Sequence, residues 1–222
     1  MAQVLITGCD SGIGREFAQQ CADAGDRVWA TYLDLRNALP DARMQHHRLD
    51  VTRFEDFQTL RQALGTESID LLVSNAGIGQ DAAPLGHLDY DHVHRMLSVN
   101  LVGAIKLVET FADAVASSRE RRIVFIGSRM GSITANLSGG HYGYRASKAG
   151  LNAVARSLAI DLFPRGVTVA VLHPGWVRTA GGSPHAAWSP AQSVQALRQT
   201  IARLGNHETG VFLQADGHPL PW

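Results

Sequence analysis

The sequence predicts a doubly wound α/β fold with one mostly parallel, seven-stranded sheet and helices on both faces. Seven short apolar runs alternate with longer segments whose apolar residues repeat every 3.6 positions. Two of the runs, 123–126 and 167–171, are rich in β-branched residues, which is typical of strands covered on both faces. Strands that alternate with helices of this length form right-handed βαβ units, so a parallel sheet follows.

The elements follow one another along the whole chain. The predicted strands are Val4–Thr7, Val28–Thr31, Gln45–Leu49, Ile69–Ser74, Ile123–Gly127, Val167–His173 and Val211–Leu213. The predicted helices lie near 12–24, 53–64, 89–117, 142–163 and 190–204. The last helix has its own boundary signals, because Ser189 can cap it, Pro190 suits its first position and Gly205 follows its end.

Composition excludes several classes of protein. With 222 residues, 45% of them hydrophobic and 18% charged, the chain fits one globular domain spanning 1–222. Twenty basic and twenty acidic residues balance, without the basic excess of a nucleic-acid binder. No apolar run approaches the ~18 residues of a membrane span. The start lacks a basic leader, and Cys9 and Cys21 are too few for a disulfide scaffold, so we expect a cytoplasmic protein.

A glycine-rich loop, 7–14, follows the first predicted strand. Its glycine spacing differs from the common G-x-G-x-x-G pattern, but the physical logic is similar. Gly8 permits a tight turn, Gly12 lets the backbone approach a pyrophosphate, and Gly14 lets the next helix pack close to the sheet. The positive end of that helix would then face the phosphates. The alternative is a glycine-rich turn without a ligand.

Tyr144 and Lys148 lie four residues apart and therefore on one face of a helix. A tyrosine with an ordinary pKa near ~10 is a poor acid or base at neutral pH. A neighbouring ammonium favours the phenolate and lowers that pKa, so the phenol could exchange a proton with a reacting oxygen. The spacing alone is weak evidence, because it is more often that of a surface tyrosine beside a lysine.

Seven motifs occur in a consistent order along the chain, and their residues are Thr7–Gly14, Asp50–Val51, Ser74–Gly77, Ser98–Asn100, Gly127–Gly131, Tyr144–Lys148 and His173–Thr179. Together they resemble the short-chain dehydrogenase/reductase family, with serine at 74 where the family has asparagine. The resemblance implies a Rossmann-type fold and an NAD(P)-dependent oxidoreductase that transfers hydride between a nicotinamide cofactor and a carbonyl or alcohol.

The resemblance assigns four catalytic residues. Tyr144 would be the general acid or base, and Lys148 would bind the nicotinamide ribose and lower the tyrosine pKa. Ser128 would bond the reacting oxygen as charge develops there. Asn100 would hold a water molecule that links Lys148 to solvent.

The serine assignment has an alternative. The family usually places its catalytic serine about a dozen residues before the tyrosine, and Ser132 fits that spacing better than Ser128. Ser128 is preferred because it lies at the strand end, three residues before Gly131. The extra residues would then lie in the loop 138–140.

The resemblance also predicts which residues contact the cofactor, which would be NADP or NAD. These are Gly8, Asp10, Ser11, Gly12, Ile13, Gly14, Tyr32, Leu33, Asp50, Val51, Asn75, Ala76, Gly77, Tyr144, Lys148, Pro174, Gly175, Val177 and Thr179. Tyr32 and Leu33 occupy the places where an acidic residue would favour NAD or a basic residue NADP. Asp34 is one position late, and Arg15 and Arg36 are possible phosphate partners, so the sequence favours NADP only slightly.

The substrate pocket is expected between the loop after Gly77, residues 130–142 and residues 176–188. The short run Gly181–Pro184 would form a brief lid, which suits a small or open-faced carbonyl substrate. His141, His185 and Trp188 could face it, or could be packing and surface residues. The histidines at 46, 47, 87, 92 and 94 show no metal-ligand spacing, so we expect no metal.

Short stretches, including Tyr144–Asn152 and the ending Asp216–Trp222, resemble the C-factor-type carbonyl reductase branch of the family. A signalling role has been attached to that branch, so a cofactor-binding signalling protein that acts through partner contacts is the second hypothesis. An isomerase or dehydratase with the same Tyr–Lys site is the third.

The long helices 89–117 and 142–163 commonly pair between subunits in the family. The resemblance therefore implies a homo-dimer or homo-tetramer, with a small-molecule substrate and neither nucleic acid nor membrane as partner.

Overall fold

A computed structural model describes residues 1–79, 82–179 and 184–222. Seven strands form one sheet in the order β3-β2-β1-β4-β5-β6-β7. They are β1 (Gln3–Ile6), β2 (Arg27–Tyr32), β3 (Met44–Arg48), β4 (Leu71–Ser74), β5 (Arg122–Ile126), β6 (Thr168–His173) and β7 (Val211–Gln214). All neighbouring strands pair in parallel, so the predicted doubly wound fold is confirmed and its sheet is entirely parallel.

In the described part of the chain six α-helices connect the strands: α1 (Gly12–Asp23), α2 (Phe54–Leu64), α3 (Tyr90–Leu97), α4 (Gly103–Ala116), α5 (Tyr142–Leu162) and α6 (Pro190–Arg203). The predicted capping of α6 is present: Gln192 N donates to Ser189 Oγ at 3.2 Å, and Gln192 Oε1 accepts from Ser189 N at 3.0 Å.

The predicted single helix over 89–117 is wrong in one respect. Between α3 and α4 lies a π-helical turn, Ser98–Val102. A π turn inserts an extra residue into the helical ladder and shifts the side chains that face inward. Here the buried residue of the turn is Asn100.

The sheet is covered on both faces. Along β1, Leu5 packs into one core cluster with Phe111 of α4 and Phe125 of β5. Val4 and Ile6 point the other way, into a second cluster that includes Phe17 of α1. This alternation is the period-2 geometry of a strand, and it accounts for the nearly continuous apolar character of the central strands.

The topology brings the loops together at one edge of the sheet. The chain proceeds from β1 outward to β2 and β3, then returns to β4 on the other side of β1. In open parallel sheets, ligands bind outside the carboxyl ends of the strands where the order reverses. The loops after β1 and β4 therefore lie side by side at that point.

Among the described helices, none is long and apolar enough to cross a membrane.

Candidate active site

The glycine loop after β1 has backbone angles and close contacts that require glycine at three positions. Gly8 and Gly12 have positive φ values of 73° and 58°, which favour glycine. A Cβ on Gly14 would lie 2.2 Å from Gly8 O and 2.3 Å from Asn75 Nδ2, so α1 can approach the sheet this closely only with glycine there. Helix α1 begins at Gly12, and the Ser11 side chain does not cap it. The first N–H groups of α1 are therefore suited to an anionic ligand.

The loops after β1 and β4 are tied to each other. Thr7 Oγ1 accepts hydrogen bonds from Asn75 N and Ala76 N, both at 3.0 Å. Asn75 Nδ2 donates to Thr7 O at 2.9 Å and to Gly8 O at 3.0 Å. A Cβ on Gly8 would lie 2.8 Å from Ala76 Cα. The fold thus forms one narrow cradle that lacks side chains where a dinucleotide pyrophosphate would need close backbone approach.

Asp10 organises the loop after β2. Its carboxylate accepts from Leu33 N at 2.9 Å, from Asp34 N at 3.0 Å and from Asn37 Nδ2 at 3.2 Å. Its side chain therefore holds the backbone of the neighbouring loop in place.

Tyr32 and Leu33, the predicted determinants of cofactor choice, lie in different environments. The Tyr32 ring is fully buried, with its hydroxyl 3.2 Å from His46 Nδ1, whereas Leu33 is exposed. Arg36 Nε bonds both carboxylate oxygens of Asp34, and this guanidinium holds the pKa of Asp34 at about 2. Arg15 donates to Asn37 O at 3.0 Å. Both candidate phosphate-binding arginines therefore already have partners in the loop after β2.

Asp50 and Val51 follow β3. Asp50 Oδ1 accepts from Thr52 N at 3.0 Å and from Thr52 Oγ1 at 2.7 Å. Val51 is buried, and a Cβ on Gly103 would come within 2.8 Å of it. Both residues lie at the carboxyl edge of the sheet, but no described contact joins them to the glycine loop.

The four predicted catalytic residues come together at the ends of β4 and β5. Lys148 Nζ lies 5.9 Å from the centre of the Tyr144 ring and donates to Ile126 O at 2.9 Å. The Ser128 side chain lies close enough to Tyr144 to lower the pKa of its hydroxyl by hydrogen bonding. A Cβ on Gly77 would lie 3.3 Å from Asn100 Oδ1 and 3.8 Å from Lys148 Nζ, so both polar groups face the same backbone.

Burial dominates the electrostatics of the tyrosine and the lysine. It raises the pKa of Tyr144, against the opposing effect of the Ser128 hydrogen bond. It lowers the pKa of Lys148 to about 8. In both groups the cost of removing a charge from water favours the neutral form.

Asn100, the buried residue of the π turn, is held by hydrogen bonds of its side chain. Its Oδ1 accepts from Ile78 N at 2.8 Å, and its Nδ2 donates to Ile78 O at 3.2 Å and to Ser147 Oγ at 3.1 Å. Ser147 Oγ in turn donates to Tyr144 O at 2.8 Å. Asn100 therefore joins the loop after β4 to the helix that carries Tyr144.

The two candidate serines have different partners. Ser128 Oγ accepts from Met130 N at 3.1 Å and bonds Tyr144. Ser132 is buried, donates to Trp222 O at 3.0 Å and accepts from Ala135 N at 3.0 Å. Ser132 thus anchors the C-terminal residue, whereas Ser128 faces the tyrosine.

The segment after β6 closes over the glycine loop. Pro174 O accepts from Ser193 Oγ at 2.6 Å, and Gly175 has a φ of 85°. Val177 pairs with Trp188 through a backbone bridge. A Cβ on Gly12 would lie 3.2 Å from Thr179 Cγ2, which brings the predicted contacts of β1 and β6 into one place.

The substrate-side loops are described only in part. Residues 181–183 of the predicted lid lie outside the described residues, as do positions 80 and 81 in the loop after Gly77. His141 precedes α5 in a left-handed conformation, with a φ of 51°. The Trp188 ring lies 3.7 Å from the position of a Cβ on Gly175, so it packs beneath the segment after β6. Within the described ranges, no group of three or more His, Cys, Asp or Glu residues could hold a metal ion.

Two residues of the motifs Thr7–Gly14 and Tyr144–Lys148, to which the sequence assigned no role, complete this arrangement. Thr7 ties the loops after β1 and β4 to each other, and Ser147 links Asn100 to α5. A hydroxyl residue directly before the first glycine was a usable signal for Thr7. Ser147 carried a weaker one, its position next to Lys148 on the same helix.

Comparison with known proteins identifies the relatives of this arrangement. The family model described as short chain dehydrogenase matches residues 2–189. The C-signal protein of Myxococcus xanthus is 36% identical over 157 residues, which are 71% of this chain and 95% of that protein.

Two solved structures cover this chain and their own chains completely. The carbonyl reductase Sniffer of D. melanogaster has 28% identity and a TM-score of 0.93. A carbonyl reductase from Pseudomonas aeruginosa PAO1 in complex with NADP has 27% identity and a TM-score of 0.87.

Proposed function

Because the chain belongs to the short-chain dehydrogenase family and is an NAD(P)-dependent oxidoreductase, we propose that Tyr144, Ser128, Lys148 and Asn100 carry out its chemistry. The convergence of Tyr144 with Ser128 and Lys148 beside the glycine cradle is the observation that carries this proposal. One 222-residue domain would then contain both the cofactor site and the substrate site.

Each side chain has a distinct task in the proposal. Tyr144 gives its proton to a carbonyl oxygen in reduction and takes one from an alcohol in oxidation. Ser128 donates a hydrogen bond to the same oxygen, which stabilises the charge that develops there. Lys148 supplies positive charge that favours the phenolate, so it opposes the effect of burial on the pKa of Tyr144.

The cofactor fits the residues present. The cradle of Gly8, Gly12 and Gly14 would hold the pyrophosphate at the start of α1, and Gly175 to Thr179 would hold the nicotinamide end. When bound, the nicotinamide supplies or accepts the hydride. Among the chain's own residues, Asn100 would position a water molecule that passes protons to Lys148.

We propose NADP as the preferred cofactor, which the complex of the Pseudomonas enzyme with NADP supports. Because Arg36 is paired with Asp34, binding of a 2′-phosphate would require Arg36 to exchange that partner. Thermal unfolding with matched concentrations of NADPH and NADH tests this. The stability that a ligand adds rises with the ratio of its concentration to its dissociation constant and is ~2.7 kcal/mol at a ratio of about 100. At equal concentrations the more tightly bound NADPH should therefore raise the thermal midpoint more than NADH. A larger rise with NADH would reverse the assignment.

We propose a small or open-faced carbonyl compound as substrate, in line with the two carbonyl reductases of similar structure. The test is loss of nicotinamide absorbance with a panel of aldehydes, ketones and quinones. Turnover of at least one panel member is expected. Product formation without net cofactor oxidation would indicate an isomerase or dehydratase instead.

A signalling role is the second candidate, and the C-signal match favours it. In a signalling protein of this kind, contacts with partner proteins, and not turnover of a substrate, would produce the biological effect. The variants Tyr144→Phe and Lys148→Ala distinguish the two, since a phenotype that survives both would be independent of the catalytic groups.

We further propose a homo-dimer or homo-tetramer and a cytoplasmic location. Exposed apolar side chains at Val102 and Ile105 near the start of α4, and at Ile160 on α5, support pairing between subunits. The free, buried thiols of Cys9 and Cys21 suit a reducing compartment. Light scattering of the purified protein would give the number of subunits.

A further inference from the structure

Two basic side chains flank Ser128 at the carboxyl edge of the sheet. Arg129 directly follows Ser128 and opens a short 3-10 turn, Arg129–Gly131. His173 is the last residue of β6. Ile126 pairs with Leu172, and Gly127 N donates to Leu172 O at 2.8 Å. This register brings His173 alongside the end of β5, where Ser128 lies.

His173 lies on the same face of the sheet as the catalytic helix. Side chains alternate along a strand, so His173 shares a face with Val169 and Val171. Those two valines belong to the core cluster that contains Leu151 and Ala155 of α5. Helix α5 also carries Tyr144 and Lys148, so His173 and the proposed acid–base group are on one side of the sheet.

His173 is electrically neutral near pH 7. Burial and the Arg129 guanidinium together lower its pKa to about 4. Its Nδ1 is buried and has no hydrogen-bond partner in the part of the chain that the structure describes. The backbone of Arg129 follows the end of β5, which pairs with the end of β6 where His173 lies. The positive charge at this place therefore belongs to Arg129.

The Arg129 guanidinium is not engaged by the protein. Arg129 is exposed, and within residues 1–79, 82–179 and 184–222 its side chain has no ion pair or hydrogen bond. Other arginines of the nearby loops are held: Arg145 Nε donates to Gly140 O at 3.1 Å, and Arg178 Nη1 donates to Ala187 O at 3.1 Å. A guanidinium offers five N–H donors in a planar fork that matches a carboxylate.

We propose that Arg129 binds a carboxylate of the substrate, so that the physiological substrate is a carbonyl or alcohol compound that also carries an acidic group. This rests on the proposed oxidoreductase function and names the substrate class of the same site. The partner is a substrate group because Arg129 lies at the ends of β5 and β6, beside Ser128. The cofactor phosphates would lie at the glycine loop after β1, which is separated from β5 by β4.

Matched substrates test this proposal: 3-formylbenzoate and 4-formylbenzoate, each compared with its uncharged methyl ester, with NADPH as reductant. The wild-type protein should have a higher kcat/KM for the acids. Arg129→Gln should lower kcat/KM for the acids about tenfold to a hundredfold, mainly through KM, because hydrogen bonds to charged groups have that strength. The esters and the KM for NADPH should be unchanged.

Two further variants complete the design. Arg129→Lys keeps the charge but loses the planar fork, so it should retain part of the preference for the acids. Arg119→Gln removes another exposed arginine, before β5 at the opposite edge of the sheet, and should leave kcat/KM for both the acids and the esters unchanged. Thermal midpoints of all three variants report whether they fold.

Each other outcome is decisive. Equal use of acids and esters by the wild-type protein overturns the proposal, as does an equal loss on both in Arg129→Gln. A raised KM for NADPH in that variant assigns Arg129 to the cofactor instead. Turnover of the esters shows that the oxidoreductase site works even where the carboxylate preference fails. No turnover of any carbonyl compound would refute the proposed function, and this inference with it.

Discussion

Tyr144 combines burial with two polar neighbours. Burial alone opposes the phenolate, and the hydrogen bond with Ser128 favours it. Lys148 is itself buried, with its pKa lowered to about 8, so it can lose its proton at mildly alkaline pH. Because a charged ammonium would also favour the phenolate, loss of the Lys148 proton should weaken the acid–base role proposed for Tyr144.

The two serines should respond differently to the same substitution. Ser128→Ala removes the partner of Tyr144, so kcat should fall by about tenfold to a thousandfold while the thermal midpoint is kept. Ser132→Ala removes the hydrogen bond to Trp222 O and should cost about 1 kcal/mol of stability with kcat retained. Steady-state kinetics and thermal unfolding of both variants are the measurement. If Ser132→Ala abolished turnover and Ser128→Ala did not, Ser132 would be the catalytic serine.

His173 makes stability depend on pH. Its pKa is lowered from 6.5 to about 4 in the folded protein, so the unfolded chain binds the proton more readily. The stabilising effect is complete above pH 6.5 and is lost as pH falls toward 4. Between pH 7 and 4.5 the loss should be about 2 to 3 kcal/mol. Urea unfolding of the wild-type protein and His173→Gln at both pH values tests this, since the variant should lack that part of the loss. The same pH dependence in both proteins would contradict it.

At the scale of elements, the glycine loop and α1 form a unit whose spacing depends on Gly14. A side chain there would meet Gly8 O and Asn75 Nδ2, and the helix would have to move outward. The position of the N-terminus of α1 would change with it. The glycine therefore sets the distance between the helix dipole and the proposed phosphate site.

Gly14→Ala should destabilise the protein by about 1 to 3 kcal/mol and weaken cofactor binding, because the site is overpacked. Gly79→Ala is the matched control, since a Cβ there would have none of the described residues within 4 Å. Thermal unfolding with and without NADPH measures both effects. A Gly14→Ala protein as stable and as responsive to NADPH as the control would show that the close approach is not needed.

Elements differ in how well the sequence predicts them. Hydrophobic periodicity located the 89–117 helical region, but it could not reveal the π turn, since one extra residue scarcely alters an apolar pattern. Similarly, the sequence does not reveal that the ring of Tyr32, at the end of its strand, turns into the core toward His46. Which side a terminal residue faces depends on packing with a neighbouring strand, and that information is absent from the local sequence.

At the scale of the whole molecule, the alternation of apolar strands and amphipathic helices was sufficient to predict the parallel sheet. Contacts between distant segments were not predictable in the same way. The last residues return along β7, with Pro219 paired to Leu213 and Trp222 stacked on Phe212. The partner of Ser132 is 90 residues away in sequence, so no motif spacing reveals it.

The proposed pyrophosphate site and the proposed acid–base groups lie on different elements of the fold. The loops after β1 and β4 form the cradle, whereas Ser128 follows β5 and Tyr144 and Lys148 lie on α5. A defect in chemistry should therefore be separable from a defect in cofactor binding.

Turnover and NADPH-induced stabilisation, measured together on Tyr144→Phe, test the central claim most directly. The substitution removes only the phenolic oxygen, so the rise in thermal midpoint with NADPH should match that of the wild-type protein. The rate of NADPH oxidation with a carbonyl substrate should fall by a factor of about 100 to 10,000, which is the contribution of a general acid. An unchanged rate in a variant that still binds NADPH would contradict the assignment of Tyr144 as the acid–base group.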